Sequence, residues 1–207
     1  MVKNFICLEG IDGSGKSTQI SSLENLFRRR GLEVLCIREP GGTDISEAVR
    51  QILLDTAHKG KMNDITELLL YNAARSQLIH EAIKPALEKG SIVLADRFAH
   101  STLAYQGYGR GLNIDMVKNL LNITCGDFFP CKTFILDIPV SLSRERQQKD
   151  KSRRKADRIE QEENSFFERV RNGYRAIAKE NPETCILLDA TLPSEDIFKL
   201  LVSHFDG

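Results

Sequence analysis

The ten residues EGIDGSGKST, positions 9–18, set three glycines around one lysine directly after the apolar run Phe5-Ile6-Cys7-Leu8. Gly10, Gly15, Lys16 and Ser17 have the spacing G-x-x-x-x-G-K-[ST]. Glycines so spaced let backbone N–H groups turn inward and cradle phosphate oxygens at a helix N-terminus. In this reading Gly10, Ile11, Asp12, Gly13, Ser14, Gly15, Lys16, Ser17 and Thr18 surround the phosphates of a nucleoside triphosphate. Lys16 reaches the terminal phosphates and the Ser17 hydroxyl faces Mg²⁺.

Three further stretches carry side chains suited to phosphates or bases. Asp96 and Arg97 (DRFAHSTLAYQ) follow the buried-type run SIVLA. A carboxylate there can hold Mg²⁺ and the guanidinium can grip a phosphate with two N–H bonds; the pair also reads as a helix N-cap with a surface ion pair. Tyr71 and Arg75, four apart in LLLYNAARSQ, share one helix face. They suit the face and edge of a planar base, or else a half-buried ring packed under an arginine stem. The run RERQQKDKSRRKADRIE, 144–160, has the composition of a segment that closes over phosphates, and equally of a solvated face.

The elements that must position these groups show in the hydrophobic pattern. FICL (5–8), EVLCI (33–37), SIVLA (91–95), TFILDI (133–138) and TCILLD (184–189) alternate with longer helical patterns. Such alternation predicts β-α-β units, a parallel sheet flanked by helices, and ligands beyond the carboxyl ends of the strands. The stretches after the runs are 9–18, REPGGT at 38–43, 96–106 and the segment after Pro139. A first helix is expected from Thr18, closed at Gly31. Asp64 and Glu67 have capping-box spacing for another, which Pro85 kinks or interrupts before Gly90 ends it.

The 207 residues suit one domain, and 29 basic against 29 acidic residues leave no footprint for nucleic acid. The five cysteines and four histidines lack ligand spacing, which argues for buried free thiols in a reducing cytoplasm and against a structural metal. The N-terminus has no apolar core of a secretory signal, and no apolar run approaches the ~20 residues of a membrane span.

LEGIDGSGKST, REPGGT, LLLYNAARSQ, DRFAHSTLAYQGYGRGL, DRIEQE and DATLP follow one another in an order that resembles the bacterial thymidylate kinase family over nearly the whole chain. The resemblance implies one α/β domain over 1–207 of the phosphate-loop nucleoside-monophosphate-kinase type. It has a five-stranded parallel sheet and a mobile lid near 144–160. It also implies transfer of the γ-phosphoryl group of ATP to dTMP with Mg²⁺, in a family whose members are commonly homodimers. Carried over by position, Lys16, Arg97 and Arg153 are catalytic, and Ser17 and Asp96 hold the metal. Asp12 faces the acceptor sugar, Glu39 lies near the acceptor, and Arg50 and Arg97 grip its phosphate. Tyr71 stands where the family usually stacks a phenylalanine on thymine, and Arg75 donates to the thymine carbonyl. Thr102 and Gln106 complete the base pocket, Tyr105 crowds the sugar 2′ position, and Arg146 stacks on adenine. Gly13 replaces an arginine that some members carry, which places this chain with those that supply the arginine from the lid, here Arg153 or its neighbour Arg154. A deoxynucleoside kinase would share the loop and the Asp-Arg pair but needs a base for a sugar hydroxyl. A switch GTPase would need an N-K-x-D motif, which the chain lacks.

Overall fold

The computed structural model of the protein describes residues 2–150 and 156–205. Each apolar run forms a strand: β1 (Val2–Glu9), β2 (Val34–Arg38), β3 (Ile92–Asp96), β4 (Pro130–Asp137) and β5 (Cys185–Asp189). All pairings are parallel, in the order β2-β3-β1-β4-β5. Helices flank the sheet, so the inner strands are apolar at successive positions, and Phe5, Leu8, Leu94 and Phe134 have no exposure. The helices among the described residues are α1 (Lys16–Arg29), α2 (Asp44–Leu54), α3 (Asp64–Leu78), α4 (Lys84–Glu88), α5 (Ala99–Thr102), α6 (Ile114–Cys125), α7 (Val140–Lys149), α8 (Asn164–Glu180) and α9 (Ser194–Val202). None is long and apolar enough to cross a membrane.

The first helix begins at Lys16, two residues before the expected Thr18, with Gly15 at φ 96° as its N-cap. It closes where expected, at Gly31 (φ 77°). In the intervening loop, a Cβ on Gly13 (φ 76°) would lie 2.8 Å from the Ser143 carbonyl oxygen of α7. Only glycine offers both that backbone conformation and that approach.

The capping box is a correction. The N-cap of α3 is Asn63, whose Oδ1 accepts from the Ile65 N–H at 2.9 Å. Glu67 is instead drawn inward, where Arg110 (3.0 Å) and Arg158 (2.6 Å) meet its carboxylate. Pro85 does coincide with an interruption, but the helix widens earlier, into a π turn over Ile79–Ile83. That turn delivers the chain to the first turn of α4, where a proline needs no N–H partner. A second π turn, Leu103–Gly109, continues α5. The cysteines are free, as expected, but not all are buried: Cys36 is exposed because β2 is an edge strand, and Cys131 is half-buried.

Candidate active site

The carboxyl ends of the strands open onto a cavity of about 560 Å³, a volume that suits a nucleotide-sized ligand. Every residue expected to meet the acceptor lines it, and so do Gly13, Gly15, Lys16, Ser17 and Thr18 of the loop and Asp96 of β3. Gly10, Ile11 and Ser14 form the back of the same loop, and the Ser14 N–H donates to the Ile11 carbonyl at 3.2 Å.

Lys16 Nζ folds back onto the Gly10 and Ile11 carbonyl oxygens at 3.0 and 3.3 Å. Burial, and then the charge of Arg97, lower its pKa from the ordinary lysine value. Ser17 Oγ donates to Asp96 Oδ2 at 3.1 Å, so the hydroxyl in the first turn of α1 and the carboxylate that ends β3 converge. The expected alternative for Asp96, a helix cap, is not its role, since α5 has no side-chain cap. From outside, α7 braces the loop: Ser143 Oγ and Gln147 Nε2 donate to the Asp12 carbonyl at 2.6 and 3.1 Å. Arg146 Nη1 donates to the Gly13 carbonyl at 3.3 Å, which sets Arg146 beside the loop but outside the cavity lining. Arg153 and Arg154 lie outside the described residues.

Arg97 has φ 71°, a left-handed backbone that is rare for a residue with a side chain and costs about 1–3 kcal/mol. Its N–H donates to the Leu8 carbonyl at 3.0 Å. The guanidinium pairs with Asp12 at 2.7 Å and lies over the Tyr105 ring at 5.2 Å, so it is no surface ion pair. Beneath it sits Glu9, fully buried at the end of β1 and missed in the sequence. Its carboxylate accepts from the Phe98 and Ser101 N–H groups at 2.9 and 3.0 Å and from the Ser101 and Tyr174 hydroxyls at 2.6 and 2.8 Å. The same two hydroxyls each accept from Arg97 Nη1 at 3.4 Å. One signal could have exposed Glu9, a charge closing an otherwise apolar strand. Tyr174 gave none, since it lies on the apolar face of α8.

On the far side, Arg75 is not a stem packed over the Tyr71 ring; its guanidinium lies over Phe98 at 5.3 Å. Arg75 is 1% exposed, and its Nε and Nη2 reach Glu39 Oε2 at 2.9 and 2.7 Å. Nη2 also donates to Thr102 Oγ1 at 2.9 Å, while Nη1 has no partner among the described residues. Tyr71 stands one turn away on the cavity wall, and Arg50 Nη1 donates to the Pro40 carbonyl at 2.6 Å. Burial pushes the Glu39 carboxyl up to about 7, against the pull of Arg75.

Asp157, Ile159 and Glu160, within the segment 144–160 but not singled out in the sequence, also line the cavity. Arg158 between them donates through Nε to the Leu53 carbonyl at 2.7 Å and through its N–H to the Leu54 carbonyl at 3.1 Å. It thereby caps α2, whose last carbonyls lack helical partners. Arg144 lies over Phe167 at 4.5 Å and donates to the Glu160 and Glu162 carbonyls at 2.9 and 2.8 Å.

Phosphate-binding backbone facing an arginine-lined cavity across the carboxyl edge of a parallel sheet is the arrangement of a phosphate-loop nucleotide kinase. The thymidylate kinase family matches residues 8–201 of the chain. The thymidylate kinase of Kosmotoga olearia is 45% identical over 201 residues, 97% of this chain and 94% of that protein. That of Chlorobaculum tepidum is 43% identical over 212 residues, 98% and 97% of the two chains. The crystal structure of thymidylate kinase from Ehrlichia chaffeensis matches all of both chains with a TM-score of 0.79 at 32% identity. The protein belongs to the thymidylate kinase family.

The Glu39 shift has a consequence for stability. The ordinary value of 4.5 holds in the unfolded chain and about 7 in the folded one. Between these values the native state keeps a proton that the unfolded state has released. The stabilisation is complete below the lower value and is lost as pH rises through the upper one. The unfolding free energy of the parent, measured against Glu39→Gln, should therefore fall by about 1–3 kcal/mol from about pH 5 to about pH 8. A difference that stays flat across that range would show Glu39 ionised throughout.

Proposed function

We propose that the protein transfers the γ-phosphoryl group of ATP to dTMP, giving ADP and dTDP, and acts in the cytoplasm as one domain over 1–207. The observation that carries this reading is that the phosphate loop and the Tyr71–Arg75 wall open onto one cavity, with Arg97 between them. An acceptor that is already a phosphate needs no strong base. It needs alignment with the donor and relief from repulsion between two anions. Lys16 and Arg97 are the catalytic cations. Lys16 leaves its two carbonyls for the donor phosphates, and Arg97 with Arg50 holds the acceptor phosphate. Tyr71 stacks on the thymine, Arg75 Nη1 donates to its carbonyl, and Thr102 and Gln106 close the pocket. Asp12 and Tyr105 bound the sugar, and Glu39 fixes Arg75. The adenine lies beside Arg146. Ser17 and Asp96 form an all-oxygen pair that suits Mg²⁺, which binds few protein groups alongside substrate phosphates and water. Mg²⁺ bound there would neutralise phosphate charge.

Residues 144–160 serve as the lid, supported by Asp157, Ile159 and Glu160 on the cavity wall and by the Arg144 contacts beside them. Association as a homodimer is supported by α2, α3 and α6, which pack in sequence and expose Ile45, Ile52, Ile65, Leu69, Met116 and Ile123. A solution mass equal to one 23.3 kDa chain at micromolar concentration would exclude it.

ADP release should be fast with dTMP and Mg²⁺ and near background with thymidine. Comparable turnover of thymidine would favour a deoxynucleoside kinase, although an acceptor site with Arg50 and Arg97 disfavours a neutral acceptor. For the lid, Arg153→Ala should lower kcat and kcat/KM together by about 10²–10⁴, with Arg154 as the fallback. Turnover within about threefold of the parent in both single variants and the double would leave the basic run without a catalytic part.

A further inference from the structure

We propose that Glu67 is a positioning residue for base selection: it holds the Gln106 amide so that the cavity meets the Gln106 carbonyl oxygen beside a donor of Arg75. The inference rests on reading that cavity as the site of the acceptor base.

Glu67 is 1% exposed and lies behind the cavity wall. Arg110 Nε and Nη2 reach its two oxygens at 3.1 and 3.0 Å, and Arg158 Nη1 approaches at 2.6 Å. Burial alone would raise its pKa, but the hydrogen bonds and charges of Arg110, Gln106 and Arg158 outweigh it and keep the carboxyl below its usual range. An ionised carboxylate has no proton to give. The 2.9 Å contact between Glu67 Oε1 and the Gln106 amide must therefore be made by Nε2. A glutamine amide is otherwise ambiguous between its two orientations, and here its neighbour decides between them.

Gln106 lines the cavity, and its Oε1 accepts no hydrogen bond from a described residue. Arg75 lines the same cavity, and Nη1, buried within the wall, is its one nitrogen without a partner among the described residues, because Nε and Nη2 are taken by Glu39 and Thr102. One free acceptor and one free donor remain. Their complement is a ring edge with a carbonyl oxygen next to a ring N–H, as in thymine or uracil. Cytosine carries the reverse, an amino donor next to a bare ring nitrogen, and would set donor against donor and lone pair against lone pair. If residue 67 were an amide it could donate as well as accept, and Gln106 could then turn over to suit cytosine. A merely structural Glu67 would weaken both substrates alike.

The test is kcat/KM for dTMP and dCMP with the full-length enzyme, its Glu67→Gln and Glu67→Asp variants, and Gln106→Met. The parent should strongly prefer dTMP. Glu67→Gln should cut the dTMP-to-dCMP ratio at least about tenfold, mainly through KM. Glu67→Asp, which stays acceptor-only, should keep the ratio within about threefold. An unchanged ratio in Glu67→Gln overturns the proposal. A ratio that falls in Gln106→Met but not in Glu67→Gln removes the role of Glu67 alone, whereas a parent inactive on dTMP removes the proposed function itself. Should Glu67→Gln fail to fold, Glu67→Gln/Arg158→Gln restores the net charge of the cluster and is judged by the same ratio. A parent preference for dTMP below about tenfold overturns the proposal whatever the variants do.

Discussion

The site is organised around carboxylates that have been taken out of water. Glu9, Glu39 and Glu67, at 0%, 5% and 1% exposure, are all buried behind the edge where the strands end. An unpaired carboxylate in such a place costs several kcal/mol, so each must be surrounded by fixed donors. Some of those donors, Ser101, Arg75 and Gln106, belong to side chains that line the cavity. Glu9 takes the Ser101 and Tyr174 hydroxyls, whose oxygens then receive Arg97. Glu39 takes two nitrogens of Arg75 and leaves the third. Glu67 takes the amide nitrogen of Gln106. What remains unpaired is what a ligand can use, so satisfying the interior and preparing the surface of the cavity are one operation.

The same economy appears in the backbone. Arg97 tolerates a left-handed φ because its N–H is tied to β1 and its guanidinium is gripped by Asp12 and by the hydroxyls above Glu9. Strain of this kind persists where the surroundings over-determine the conformation. The phosphate loop is constrained in a complementary way. Its glycines admit the approach of α7, and α7 in turn fastens the Asp12 and Gly13 carbonyls. A side chain at position 13 would meet α7 before it reached a phosphate.

Much of this is legible in the sequence. The strands stood out because a sheet covered on both faces must be apolar at successive positions. The loop stood out because its glycine spacing is demanded by backbone geometry rather than by neighbours. Asp96 and Arg97 were identifiable from their place directly after a strand, and Tyr71 with Arg75 from helical spacing. Local spacing alone puts Glu67 in a capping box. Burial between Arg110 and Arg158, 43 and 91 positions away, overrode that local preference, and Asn63 became the cap.

The sequence by itself determined the order of strands and helices, the phosphate loop and the identity of the groups at the strand ends. Those follow from periodicity and from contacts within a few residues. Only the tertiary structure decided which atoms of those groups stay free. It brought Glu9 under Arg97, Glu39 onto Arg75 and Glu67 behind Gln106, and it laid Asp157, Ile159 and Glu160 along the cavity wall. The reason is physical: a hydrogen-bond partner is chosen by proximity and by the cost of burying charge, and both are properties of the folded chain.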